Sequence, residues 1–320
     1  MIVVTGGAGF IGSCLVRKLN NQGIHDILIV DSLGTGIKWK NLVGKVYQDI
    51  VDKTTFRREL LAGTYGAEIE AIFHLGACSS TTETNADYLL DNNYRYSRDL
   101  AEYTEARNIR FIYASSAATY GAGEQGYSDS VFTLQPLNMY GYSKHMFDEW
   151  VLRNGFDTKF VGVKFFNVFG PNEYHKGDMA SVVMKAFRQV WSTGTIRLFR
   201  SYNPAYADGE QKRDFIYVKD VVDVLYEMLV YGEVRGIYNL GSGLARSWND
   251  VARAVFAAMQ RPVSVEYIEM PLHLRSQYQY FTQADMSKLQ QTRIVCPNTT
   301  LEDAIQDYIC QYLMNDFAHY

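Results

Sequence analysis

The chain has 320 residues, 47% hydrophobic and 21% charged, with a formal net charge of −4, the balance of a soluble globular protein with one large or two modest domains. It shows no long block of like charges, no apolar run of membrane-span length and no basic n-region with a cleavable apolar segment, so nothing argues for nucleic acid or an anionic membrane and a cytoplasmic location is expected. Cys14, Cys78, Cys296 and Cys310 form no CxxC pair and the six histidines show no ligand spacing, so reduced, buried thiols and no metal are expected.

The chain opens on the β-branched run Ile2-Val3-Val4, which breaks into Thr5-Gly6-Gly7-Ala8-Gly9-Phe10-Ile11-Gly12 and then into the helical pattern Leu15, Val16, Leu19. A strand, a glycine turn and a helix in that order are the context of a dinucleotide fingerprint, because glycines let backbone N–H groups approach a pyrophosphate at a helix start. Glycines 6, 9 and 12 carry it, and the set 7, 9 and 12 fits the spacing as well. A bare connecting turn is the competing reading, but a second strand, Ile27-Leu28-Ile29-Val30, follows on schedule and ends in Asp31, placed to grip an adenosine ribose. Asp31 favours NAD by repelling a 2′-phosphate, while Lys38 and Lys53 follow within reach of the same corner and can neutralise one. Residue chemistry alone leaves NAD or NADP open, and surface lysines are the plainer reading of both.

Ala71-Ile72-Phe73-His74 is the next central strand, and the small residues of the loop from Leu75 to Ser80 can pass over a cofactor where larger ones could not. A helix carrying Asn92, Asn93, Leu100 and Tyr103 leads to the strand Phe111-Ile112-Tyr113-Ala114, with Ser116 at its carboxyl end. If Tyr140 opens the next helix, Lys144 lies one turn on along the same face and Tyr142 points away. A phenol titrates at roughly 10 and serves as a base near neutrality only beside positive charge, which Lys144 can supply, while Ser116 can bond the same substrate oxygen. Tyr and Lys four apart are usually surface decoration; the preceding motifs give this pair its weight.

Phe160 to Phe166 is a further strand, running into Asn167-Val168-Phe169-Gly170-Pro171, an exit from the cofactor domain. Beyond His175-Lys176-Gly177 an amphipathic helix runs through Val183, Phe187 and Val190. Phe215 to Val218 and Ile237 to Leu240 read as two strands with the helix Val221 to Leu229 between them. The expected fold is α/β, a Rossmann-type doubly wound parallel sheet with a smaller, mixed α/β substrate lobe. Its cofactor domain is discontinuous, residues 1–166 and 214–240, and the lobe comprises 167–213 and 241–320, including Val263 to Ile268 and a helix near Leu301 to Leu313.

Thr5 to Gly12, the Ser116, Tyr140 and Lys144 set, and Asn167 to Pro171 together resemble the extended short-chain dehydrogenase/reductase family over nearly the full length. Within it, Gly76-Ala77-Cys78-Ser79-Ser80-Thr81-Thr82-Glu83, Asp91-Asn92-Asn93-Tyr94, Asn138 to Lys144, His175-Lys176-Gly177 with Met179-Ala180-Ser181, and Phe281 to Asp285 look like the ADP-glyceromanno-heptose 6-epimerases. A sugar 4,6-dehydratase needs an acid pair after its Ser or Thr, and here Ala117 and Ala118 follow Ser116. The resemblance implies one tightly held NADP per subunit, a ring-shaped homo-oligomer such as a pentamer, and inversion at C-6″ of ADP-D-glycero-β-D-manno-heptose to the L-glycero epimer used in lipopolysaccharide inner core. It resolves the cofactor choice by lining the adenosine-phosphate corner with Asp31, Ser32, Lys38 and Lys53. Phe10 and Ile11 then cover the pyrophosphate, and Leu75, Gly76, Ala77, Cys78, Ser79, Asn92 and Val168 complete the site. It further implies substrate contacts at Asn167, Asp178, Lys185, Phe199, Arg200, Ser201, Tyr202, Arg213 and Tyr278. Asp178 and Lys185 depart from the small polar residue and histidine of the family pattern, and the 202–211 segment is longer than in some relatives.

An alcohol carbon without an acidic C–H is inverted by removing hydride, so a transient 6″-ketone is expected, with the hydride returned to its opposite face. The proton partner serves two orientations of the sugar; Tyr140, with Lys144 and Ser116, is expected to serve one and Lys176 the other. Lys176 also reads as an exposed loop charge or a phosphate contact. Arg213 is expected to clamp the substrate pyrophosphate, against the plainer reading of a salt bridge to Asp214 or Asp220. Another nucleotide-sugar 4-epimerase or reductase on the same scaffold is the second reading, and a non-catalytic dinucleotide sensor the third.

Overall fold

In the computed structural model, which describes residues 1–275 and 278–320, the apolar runs of the first half become strands of one sheet. They are β1 (Ile2–Thr5), β2 (Ile27–Val30), β3 (Asp49–Val51), β4 (Ala71–His74), β5 (Arg110–Ser116) and β6 (Val161–Phe165). The chain continues through β7 (Asn167–Phe169), β8 (Ile196–Phe199), β9 (Lys212–Tyr217), β10 (Gly236–Leu240), β11 (Ala245–Ser247) and β12 (Val265–Ile268). β10 closes the large sheet, whose order is β10-β6-β5-β4-β1-β2-β3 with every pairing parallel. The chain steps outward from β1 to β3 and then returns to the other side of β1 with β4. The carboxyl ends of β1 and β4 therefore flank the point where strand order reverses, where a doubly wound sheet binds its ligand.

Alternate residues of each strand serve opposite faces. Val3, Leu28, Ile72 and Phe111 pack with Phe56, Leu100 and Phe147, whereas Val4, Ile29, Phe73 and Ile112 pack with Leu15, Leu19, Val221 and Leu225. Both faces are covered by helices, so these strands read as unbroken apolar runs.

Phe215 to Val218 does not extend this sheet. β9 pairs in parallel with β7 and antiparallel with β11 in a separate three-stranded sheet. Its Lys212-Arg213-Asp214 start suits a lobe boundary better than a strand covered on both faces. The chain rejoins the main sheet through the helix Val218–Val230 and β10. β8 and β12 form a parallel pair, packed near the helices Val182–Thr193 and Trp248–Ala258. The final helix runs Leu301–Asp307 and continues as a π-helical stretch, Tyr308–Leu313. All four cysteines are free, but only Cys14 is buried; Cys78, Cys296 and Cys310 are half-exposed, which corrects the expectation of four buried thiols. Among the described residues no helix is long and apolar enough to cross a membrane.

Candidate active site

The glycine turn is built so tightly that side chains are excluded from it. Gly6 has φ +68°, and a Cβ on Gly12 would lie 2.1 Å from the Gly6 carbonyl oxygen. A Cβ on Gly76 would come within 2.9 Å of the Gly6 amide, so the loop after β4 lies directly on the turn. The helix Phe10–Asn21 starts at Gly9 with no side-chain cap, leaving its first-turn N–H groups without a side-chain acceptor. At the end of β2, Asp31 Oδ2 accepts the Ala8 amide at 2.9 Å, and Oδ1 accepts the Ser32 amide at 2.8 Å and the Lys38 ammonium. Lys53 Nζ donates to Asn92 Oδ1 at 2.6 Å. A cavity of about 220 Å³ is lined by Asp31, Ser32, Lys38, Lys53, Gly76, Ala77 and Asn92. A cradle that admits no Cβ, an uncapped helix start and a carboxylate at the next strand end fit a dinucleotide, and two lysines at the same corner fit an additional phosphate.

Cys78 is pinned rather than free to move, since its N–H and C=O bond the side chain of Asn93 at 2.9 and 3.0 Å. Asn93 is wholly buried and also donates to Ser143 Oγ at 3.1 Å, tying the loop to the helix Met139–Arg153. That helix opens at Asn138, whose side chain accepts the Gly141 amide at 2.8 Å. An Asn cap with Tyr140 just inside it presents the phenol at the helix start.

Ser116, Tyr140, Lys144, Asn167, Val168 and Lys176 share a cleft of about 480 Å³ with Gly6, Gly9, Phe10, Ile11, Gly12, Leu75 and Ser79. Lys144 is 4% exposed and donates to the Ala114 carbonyl at 2.9 Å. Burial pushes its ammonium down to about 8 against the opposing pull of Asp148 and Cys78. Burial pushes the Tyr140 phenol above its usual value, and only the Ser116 hydrogen bond works the other way. The protein alone thus does not make this phenol acidic. Lys176 lies 5.5 Å from the Phe10 ring, and burial lowers its ammonium while Glu173 raises it. It is therefore not the freely exposed loop charge of the plainer reading.

Arg213 is 8% exposed and donates to the carbonyls of Lys212 and Gln279. Its guanidinium lies 5.6 Å from the Trp248 ring and 5.5 Å from the Tyr278 ring. Neither acid of the plainer reading pairs with it. Asp214 accepts from Ser242, Gly243 and Ala284, and Asp220 accepts from Thr299. Arg213 and Tyr278 stand behind Trp248, which lines the cleft and donates through Nε1 to the Tyr278 hydroxyl at 2.9 Å.

The remaining expected contacts are not brought to the cleft wall. Phe199, Arg200, Ser201 and Tyr202 do not line it; Tyr202 is held by Glu269 and Arg275, and Ser201 by Asp208. Asp178 and Lys185 are exposed and meet each other, Lys185 Nζ donating to the Asp178 carbonyl at 2.6 Å. The cleft wall also contains His175, Ser181, Phe215 and Trp248, which the sequence reading did not place in the site. Trp248 had a local signal, the capping box of Ser247 and Asp250 around it, but that signal announces a helix start and not what the indole faces.

Residues 2–241 match the model of the NAD dependent epimerase/dehydratase family. The chain is 53% identical over 316 residues to an ADP-L-glycero-D-manno-heptose-6-epimerase of Nitratidesulfovibrio vulgaris, with 98% of each chain covered. It is 48% identical over 331 residues to the protein of the same name from Fusobacterium nucleatum, each covered in full. The crystal structure of the Helicobacter pylori ADP-L-glycero-D-manno-heptose-6-epimerase superimposes with a TM-score of 0.80 at 28% identity, covering 97% of this chain and 95% of that one.

Proposed function

This chain belongs to the NAD dependent epimerase/dehydratase family, which works with a nicotinamide dinucleotide, and from that premise we propose that it inverts C-6″ of ADP-D-glycero-β-D-manno-heptose to the L-glycero epimer, a lipopolysaccharide inner-core precursor. The observation that carries the reading is one cleft shared by the glycine turn with Ser116, Tyr140, Lys144 and Lys176, in a chain full-length similar to heptose epimerases. The dinucleotide, when bound, supplies a positively charged ring that accepts a hydride and gives it back. Tyr140 takes the substrate's hydroxyl proton in one orientation of the sugar, with Ser116 bonding the same oxygen and Lys144 supplying positive charge one turn along. Lys176, its ammonium lowered by burial, takes that part in the other orientation. Arg213, with no carboxylate partner among the described residues, clamps the substrate pyrophosphate. Asn167, on the cleft wall, is the further contact this reading keeps; Tyr278 stands behind Trp248 and accepts its indole N–H.

NADP is the dinucleotide in this reading, because Lys38 offsets the charge of Asp31 and Lys53 and Ser32 stand at the same corner. The cofactor lobe, expected as 1–166 with 214–240, is taken as 1–166 with 218–240 because β9 pairs with β7 and β11, and the substrate lobe as 167–217 with 241–320. A cytoplasmic homo-oligomer belongs to the same proposal, with exposed Trp39, Val43 and Val46 available for subunit contacts. The test is turnover of ADP-heptose deuterated at C-6″ in ordinary water. Retention of the label in both epimers is expected, and its loss to solvent would mean proton abstraction and end the proposal. A 4-epimerase of the same family would instead turn over UDP-galactose and leave ADP-heptose untouched.

A further inference from the structure

Asp148 lies on the helix Met139–Arg153 one turn beyond Lys144 and two beyond Tyr140, so the three side chains share a face. Asp148 and Lys164 of β6 are both 0% exposed and form an ion pair at 3.0 Å. The same carboxylate accepts Ser115 Oγ at 2.6 Å and the Tyr113 hydroxyl at 3.1 Å, both from β5. Lys164 donates to Thr119 Oγ1 at 2.7 Å, and Thr119 donates to the Ser116 carbonyl at 2.8 Å. One continuous set of contacts thus runs from the helix through two strands to the backbone of Ser116. On the same strand, Ala114 supplies the carbonyl that holds Lys144.

An ion pair is a poor device for stability alone, because desolvating two charges offsets most of their attraction and apolar residues of similar volume often serve as well. Its location behind the reacting face suggests another role. We propose that Asp148 is a positioning residue for the epimerisation: clamped by Ser115, Tyr113 and Lys164, its carboxylate holds the end of β5 against the Tyr140 and Lys144 face and stands as a fixed negative charge one helical turn from the Lys144 ammonium. The groups facing Lys144 are few. Its own helix gives Tyr140 and Asp148; β5 gives the Ala114 carbonyl and Ser116; β4 and its loop give His74 and Cys78. His74 is neutral, pushed down to about 3 by burial, so Asp148 is the one carboxylate among them. It is the leading influence raising Lys144 against the burial that brings it to about 8.

The inference rests on the reading that Tyr140 and Lys144 move the substrate's proton. It is tested on the holoenzyme by kcat at saturating ADP-heptose across neutral to alkaline pH, for the wild type, Asp148→Asn and the double variant Asp148→Asn/Lys164→Met. Dinucleotide content and circular dichroism are read alongside. The single variant strands a buried ammonium and is expected to be unstable; the double variant leaves no uncompensated buried charge and decides the matter. Its alkaline limb is expected to move down by about one pH unit or more with dinucleotide content unchanged, because the Asp148 carboxylate acts on Lys144 whereas the Lys164 ammonium removed with it is not among the groups that do. A limb at the wild-type pH, with kcat lowered evenly or not at all, overturns the proposal. Normal turnover by Tyr140→Phe would instead overturn the underlying reading, whatever the Asp148 variants do.

Discussion

Lys38 and Asp31 form an ion pair at the carboxyl end of β2, with side chains 24% and 8% exposed. A 2′-phosphate at that corner would meet the lysine together with the carboxylate, and Lys53 stands across the same cavity. Replacing both lysines by alanine is expected to lower the ratio of NADP to NAD extracted from the purified protein by about tenfold or more, the loss of roughly 1.4 kcal/mol of phosphate attraction. An unchanged ratio would return both lysines to the surface.

Tyr140→Phe and Lys176→Met each remove one proton carrier without emptying the cradle. Each is expected to lower kcat by about a hundredfold or more, the usual range for losing a general base, while the bound dinucleotide stays at wild-type level. Near-normal turnover in either variant removes that residue from the mechanism, and in both it ends the two-base scheme.

Arg213 is held between two aromatic rings with its charge unanswered by any acid among the described residues. Arg213→Ala is expected to raise KM for ADP-heptose by about tenfold, in line with one lost charge-assisted contact, with a smaller effect on kcat. Arg213→Lys should recover little of this, because a lysine neither forks onto a phosphate nor stacks on Trp248 and Tyr278. An unmoved KM would leave Arg213 a packing residue.

Acid should destabilise the fold through two histidines. His74 is 1% exposed; Ser97 Oγ already donates to the Asn93 carbonyl at 2.5 Å, so His74 Nε2 donates to Ser97 at 2.8 Å and Nδ1 accepts from Thr5 at 2.7 Å. A second proton would turn Thr5 Oγ1 from donor to acceptor and would place a buried charge within the influence of Lys144. Burial holds His74 at about 3 and His175 at about 4, both below the unfolded value. Above about pH 6.5 the folded and unfolded states carry the same protons on these rings and stability is full. Below it the unfolded chain binds protons the native state refuses, and stability falls by about 1.4 kcal/mol per pH unit for each ring until the folded value is reached. His175 is only half-buried, so its share is smaller. Urea unfolding at neutral and mildly acid pH should show this slope, and His74→Gln should flatten it; equal slopes in variant and wild type would remove His74 as the cause.

Much of the cofactor side was legible in the sequence because it is local. Gly6, Gly9 and Gly12 sit within one turn, Asp31 ends the next strand, and Tyr140 and Lys144 are neighbours on one helix face. Short-range geometry ties each to its role, and a β-branched run buried on both faces announces itself whatever lies around it. The substrate side is different in kind. The resemblance supplied Phe199 to Tyr202, Asp178 and Lys185 as contacts, yet none lines the cleft, while Trp248 and Phe215 do.

What the amino-acid order determined by itself was therefore the dinucleotide cradle, the parallel sheet and the Tyr140 and Lys144 face, all set by spacing along one or two adjoining elements. Only the tertiary structure decided that β9 leaves the main sheet, that Arg213 lies against the Trp248 and Tyr278 rings with no acid partner among the described residues, that the Tyr140 phenol is raised and not lowered, and that Asp148 meets Lys164 behind it. Those facts depend on contacts between residues far apart in the chain and on how much water reaches them, and desolvation is a property of the packed whole that no local pattern encodes.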